Sequence, residues 1–210
     1  MACKTAYLIA FTVGIFAGSF FKLWIYRVLK AEWKYCSPLF ELVNGIIYTL
    51  VMKRMGWSVI GLLFCICTST LLVIGVVDQR TFEIPIRCNI LIGILGGVRF
   101  FLDLAHWHEY LAGAFAASSV LLAAHLITKG RAMGDGDIKL MSAAGFLLGW
   151  GNILLALFIA SCMGVMIHTL LMILKNKGRV LAFGPYLAFG IFVAMLYGEE
   201  ISGWYPFISG

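Results

Sequence analysis

The sequence predicts an all-α fold, a polytopic transmembrane helical bundle of about eight spans, forming one domain over residues 1–210. Three observations predict it. Hydrophobic residues make up 62% of the chain and charged ones 12%, against roughly a quarter charged in a soluble domain. Mean hydropathy is +0.97. Long apolar segments recur, broken by short stretches rich in Gly, Pro, Lys and Arg. At about 20 residues per crossing, the length holds at most about eight spans and leaves little for an aqueous domain. The formal net charge of +6 is read as basic loops at one membrane face, not as a nucleic-acid surface.

The first span runs from Tyr7 to Leu29. Lys4 and the apolar run behind it have the outline of a secretory signal, but no small-residue cleavage site follows and the pattern continues into Phe20-Phe21-Lys22-Leu23-Trp24. Gly14, Gly18 and Ser19 lie at helical spacing and suit close packing of a second helix. A basic segment, Arg27 to Lys34, leads to Ser37-Pro38, and proline suits the start of the second span, Leu39 to Met52. Glu41 and Asn44 in that span either bond within the bundle or face a cavity, and the helix dipole alone favours an anion at Glu41.

The third span, Trp57 to Val77, ends in Asp78 at the membrane edge. Pro85 sets a non-helical approach to the fourth, Asn89 to Leu104. Asp103, His106, His108 and Glu109 precede the fifth span, Tyr110 to Thr128; His-x-His with no fixed third ligand is weak for a metal, so a solvated loop is preferred. The sixth span opens at Asp137 and closes at the turn Gly149-Trp150-Gly151-Asn152. The seventh, Ile153 to Leu174, carries His168, read as bonded within the bundle. The basic loop Lys175 to Arg179 then leads to the eighth, with Phe183-Gly184-Pro185-Tyr186 at its mouth. Six cysteines, at 3, 36, 65, 67, 88 and 162, form no C-x-x-C pair, so no zinc or redox site is expected.

With eight spans, one set of loops carries eleven Lys and Arg residues (Arg27, Lys30, Lys34, Arg80, Arg87, Lys129, Arg131, Lys139, Lys175, Lys177, Arg179) and the other, with both termini, carries Lys4, Lys53 and Arg54. The positive-inside rule makes the first set cytoplasmic. Asp78 and Asp137 then share the cytoplasmic face of the membrane.

The stretch Gly134-Asp135-Gly136-Asp137-Ile138-Lys139 concentrates charge between apolar segments, where a carboxylate is costly unless used. Glycines there let a carboxylate sit at a helix start and point inward. A second carboxylate, Asp78, is its best partner among the ten acidic residues. Two such groups cannot both ionise easily; they share a proton, one polarising a carbonyl while the other deprotonates an attacking water. That is aspartyl peptidase chemistry, and it needs no metal or organic cofactor. From the residues alone two rivals stay open: a proton-coupled membrane transporter using the same acids, and a helix-packing membrane subunit.

Gly134-Asp135-Gly136-Asp137-Ile138-Lys139 resembles the G-x-G-D-x-K motif of the prepilin peptidases, the type IV leader peptidase family of membrane aspartyl proteases. Asp78 to Pro85 resembles their other motif, an aspartate at a span end followed by Ile-Pro. Ala17-Gly18-Ser19-Phe20 with Arg27, Ser37 to Gly45, and Phe183-Gly184-Pro185-Tyr186 are further similarities, so the resemblance covers nearly the whole chain. It implies that Asp78 and Asp137 are the catalytic pair, that Gly134 and Gly136 shape the loop of the second aspartate, and that Lys139 supports that loop or screens nearby negative charge. Asp135, at the variable position, is given no catalytic role. The implied substrates are prepilins or pseudopilins, whose basic leader is cut at the cytoplasmic side of the inner membrane just before a hydrophobic helix. Membrane lipid is the other partner, and nucleic acid is not one.

Two positions depart from the family's pattern. Members that also N-methylate the new terminus usually carry an insertion with two cysteine pairs, whereas only about ten residues, with Cys36, separate Arg27 from Pro38. That argues against methylation; Glu41 and Asn44 persist where the longer enzymes have them, so use of S-adenosylmethionine stays open. Ile86 stands where Asp or Asn commonly follows the proline.

Overall fold

The computed structural model describes residues 2–29, 38–129, 134–175 and 182–202. Cys36, Lys30, Lys34, Arg131, Lys177 and Arg179 lie outside the described residues, as does the tail beyond Ser202. All regular structure among the described residues is helical: α1 (Ala2–Leu29), α2 (Leu39–Met55), α3 (Val59–Thr81), α4 (Ile86–Leu102), α5 (Trp107–Ile127), α6 (Asp135–Leu148), α7 (Trp150–Lys175) and α8 (Gly184–Ser202), with one 3₁₀ turn at Leu104–His106. Four stretches are long and apolar enough to cross a membrane: Thr5–Ile25, Val59–Thr81, Leu104–Ile127 and Trp150–Ile173. The chain is therefore a multi-pass membrane protein. At 1.5 Å per residue α6 reaches only about 21 Å, less than the roughly 30 Å of a hydrocarbon core.

Helix ends differ from the sequence-based expectations in ways that matter for the acids. α3 continues to Thr81, so Asp78 lies inside its last turn instead of beyond its end. Nothing interrupts the ladder until Phe82, whose left-handed φ of 55° turns the chain out, and Phe82 N–H still donates to the Asp78 carbonyl at 2.9 Å. α4 starts directly after Pro85, three residues before the expected Asn89, because proline ends the extended approach and fixes φ for the turn. α6 opens at Asp135 behind Gly134, so Asp137 is the third helical residue and not the first. The turn between α6 and α7 shrinks to one residue, Gly149, with φ +85°, a conformation that glycine adopts without a Cβ penalty.

The chain divides into two compact units between Val73 and Ile74, within α3. In the first, α1 packs on α2. The Cα of Gly45 is so near Gly14 that a methyl there would come within 2.8 Å of it. Asn44, fully buried, donates from Nδ2 to the Gly14 carbonyl at 2.7 Å and accepts at Oδ1 from Ser69 at 2.9 Å. Glu41 accepts from Ser19 at 3.0 Å and pairs with Lys22 at 3.3 Å. Glu41 and Asn44 thus bond within the helical unit.

In the second unit α6 is the central element, packed by α4, α5, α7 and α8. Leu140, Met141, Ala144 and Leu147 are fully buried. Its approach to α5 is so close that a side chain at Gly145 would run into the Gly113 backbone, the small-residue contact that lets helices meet without a solvent-driven force between them. At the α4–α5 connection Asp103 accepts from Tyr110 at 2.7 Å and pairs with His106 at 2.9 Å. Those two bonds, the His106 one first, hold its carboxyl below the usual carboxylate range. Among the described residues no three His, Cys, Asp or Glu side chains converge to hold a metal.

Candidate active site

Asp78 and Asp137 come from different helices and line one cavity of about 320 Å³ in the second unit. Both are buried, 4% and 8% exposed, and two like charges on one buried cavity oppose each other's ionisation. Three features position them. The last turn of α3 carries Asp78 inward on the same face as the buried Ile74 and Val77. Gly184, the first residue of α8, donates its N–H to Asp78 Oδ2 at 2.8 Å, the placement that the positive end of a helix favours for an anion. Asp137 sits in the first turn of α6, its own N–H bonded to the Gly134 carbonyl at 3.1 Å.

The glycines of the motif do unequal work. A Cβ on Gly136 would meet Ile84 at 3.0 Å, so the missing side chain is what lets the Ile84-Pro85 approach lie against the start of α6. A Cβ on Gly134 would meet only Asp137 Oδ2, at an ordinary 3.5 Å. Asn89, in the first turn of α4, donates from Nδ2 to the Gly136 carbonyl at 3.4 Å. Phe82, Ile84 and Ile86 provide apolar wall, and Glu83, Asp135 and Lys139 stand at the exposed rim.

All five residues singled out by sequence, Asp78, Gly134, Gly136, Asp137 and Lys139, line this cavity. Asp135 lines it too, but its side chain is 75% exposed and lies 3.5 Å from His125. His168 is half-buried on α7 and is not among the residues lining this cavity. Sequence reasoning missed Asn89 and the Asp78–Gly184 bond. The second had a signal in the Phe183-Gly184-Pro185-Tyr186 stretch, though nothing in its spacing said which residue it would touch. Asn89 had none, because its value depends on where α4 begins.

The arrangement puts two buried carboxyls and a buried amide on one cavity, with Glu83, Asp135 and Lys139 at its exposed rim. Comparison with known proteins is consistent with that chemistry. The family model described as the type IV leader peptidase family matches residues 65–169, a segment containing both acids. A prepilin leader peptidase/N-methyltransferase of Aeromonas hydrophila is 30% identical over 183 residues, covering 80% of this chain and 60% of the relative. One of Bacillus subtilis (strain 168) is 30% identical over 171 residues, covering 80% and 68%, and one of Neisseria gonorrhoeae 31% identical over 178, covering 82% and 57%. The chain thus spans about three fifths of the length of the first of these relatives. No solved structure gives a significant match. With half of its residues matched by the family model and two acids on one cavity inside the matched segment, the chain belongs to the type IV leader peptidase family.

Proposed function

We propose that the protein is a membrane aspartyl endopeptidase that removes the basic leader from type IV prepilins or pseudopilins, with Asp78 and Asp137 as its catalytic pair. The observation that carries this reading is the shared cavity, lined by two buried carboxyls from α3 and α6. Buried like charges resist double ionisation, so the pair holds one proton. The ionised member takes a proton from water as its oxygen adds to the scissile carbonyl carbon. The protonated member gives its proton to the carbonyl oxygen, and collapse of the tetrahedral adduct with protonation of the amine releases the leader.

The cut is placed at the cytoplasmic face of the inner membrane. Support comes from the basic loops, eleven Lys and Arg residues against three in an eight-span reading, and from the positions of both acids near helix ends. Proteolysis by this pair requires no cofactor. N-methylation with S-adenosylmethionine is not part of the proposal, because the Arg27–Pro38 interval has no room for a cysteine-rich insertion and Glu41 and Asn44 are taken up by helix packing.

The test is cleavage of a peptide spanning a basic leader and the first pilin residues by purified protein in detergent. Asp78→Asn and Asp137→Asn each abolish cleavage, while Asp135→Asn keeps most of it. Cleavage that survives either of the first two changes rejects the assignment.

A further inference from the structure

Asn89 is 6% exposed and lines the cavity that holds both acids. Its Nδ2 is used on the Gly136 carbonyl, but its Oδ1 is buried and accepts no hydrogen bond, alone in this among side-chain polar atoms of the described residues. Turning the amide over does not help. It would set Oδ1 against the Gly136 carbonyl, acceptor to acceptor, and strand the NH₂ group instead. Buried acceptors are rarely left unmet, since leaving one unmet forfeits its hydration for nothing.

The donor must come from the groups around the cavity. Arg87 on α4 itself, Lys139 and Asp135 on α6, and Glu83 in the α3–α4 connection are exposed; His125 on α5 lies against Asp135. That leaves Asp78 on α3 and Asp137 on α6, the two other buried polar groups lining the cavity. When ionised these only accept. When one carries a proton it becomes a donor, on the same cavity that Asn89 lines.

We propose that Asn89 Oδ1 accepts a hydrogen bond from the carboxyl proton that Asp78 and Asp137 share, which makes Asn89 a positioning residue for the proton the reaction uses. The inference rests on the proposed peptidase reading for its purpose, though not for its geometry. An acceptor that bonds the neutral carboxyl stabilises the protonated form, so the pair keeps its proton to higher pH than it would otherwise. The same bond leaves the second carboxyl free to act on water.

The test compares the full-length protein with Asn89→Leu and Asn89→Ser in detergent. It follows the infrared C=O band of the protonated carboxyl against pH, assigned by its loss in Asp78→Asn or Asp137→Asn. In both Asn89 variants the band is expected to vanish about 0.5–1 pH unit lower, the size of one lost hydrogen bond, and to move to higher frequency. The high-pH limb of the cleavage profile moves with it, while KM stays within about twofold. A band that titrates at the wild-type pH overturns the proposal even if activity is lost, because the loss is then structural. Should Asn89→Leu fail to fold, Asn89→Ser decides. If the wild-type protein cleaves no prepilin peptide, the proposed function fails separately, and the band still answers the question about the proton.

Discussion

Gly184→Ala is the most informative single substitution outside the acids. A methyl group built on Gly184 lands 2.7 Å from Asp78 Oδ2, 2.8 Å from its Cγ and 2.9 Å from its Cβ. Ordinary contact begins at about 3.4 Å, so either the carboxyl or the first turn of α8 must retreat by roughly 0.5–0.7 Å. Either movement stretches the 2.8 Å bond from Gly184 N–H to Oδ2 toward the limit of a hydrogen bond. A hydrogen bond to a charged group contributes about 1.5–3 kcal/mol, and each 1.36 kcal/mol is tenfold in rate. The expected loss of kcat is therefore about 10- to 150-fold, read by leader-peptide cleavage with purified protein. Gly93→Ala is the control: a Cβ there meets nothing within 4 Å, and activity should match wild type. Gly184→Ala with kcat within twofold of wild type, and the fold intact by thermal unfolding, would refute the claim that this N–H holds Asp78 in place.

Three more outcomes are expected. Gly136→Ala pushes against Ile84 at 3.0 Å and should cost at least about tenfold in cleavage by displacing the loop, whereas Gly134→Ala, with only a 3.5 Å contact, should stay within about threefold; equal losses would show that the two glycines act alike. Asn44→Leu removes two interhelical bonds, each contributing about 0.6–1.7 kcal/mol in a membrane protein, so the melting temperature in detergent should fall while cleavage by the folded fraction is kept. The pH–rate profile should be bell-shaped, because the pair works with one proton: above the high-pH limb that proton is gone, and below the low-pH limb no base is left. A rate that rises steadily into alkali would contradict a carboxyl pair.

The helical character and number of the elements were legible because apolar length and loop composition are local properties. Asp78 and Asp137 were singled out together on loop charge and motif, and both line one cavity. What was not legible concerns register at helix ends. Whether α3 stops at Val77 or Thr81 depends on a left-handed residue at Phe82, which an aromatic side chain does not advertise. Whether Asn89 lies in a first turn or ahead of it depends on α4 starting at Ile86, and only that start brings its amide to Gly136. The contact of Gly184 with Asp78 joins residues 106 apart in sequence, and such a separation carries no periodic signal.

That long-range bond also sets the order in which the parts of the site are completed during synthesis. A nascent chain that has emerged through α6 already contains both acids, yet the amide bonded to the first of them belongs to a helix that comes later in the chain. On the proposed reading the pair is therefore complete only once α8 has been added, because its first amide is the one bonded to Asp78.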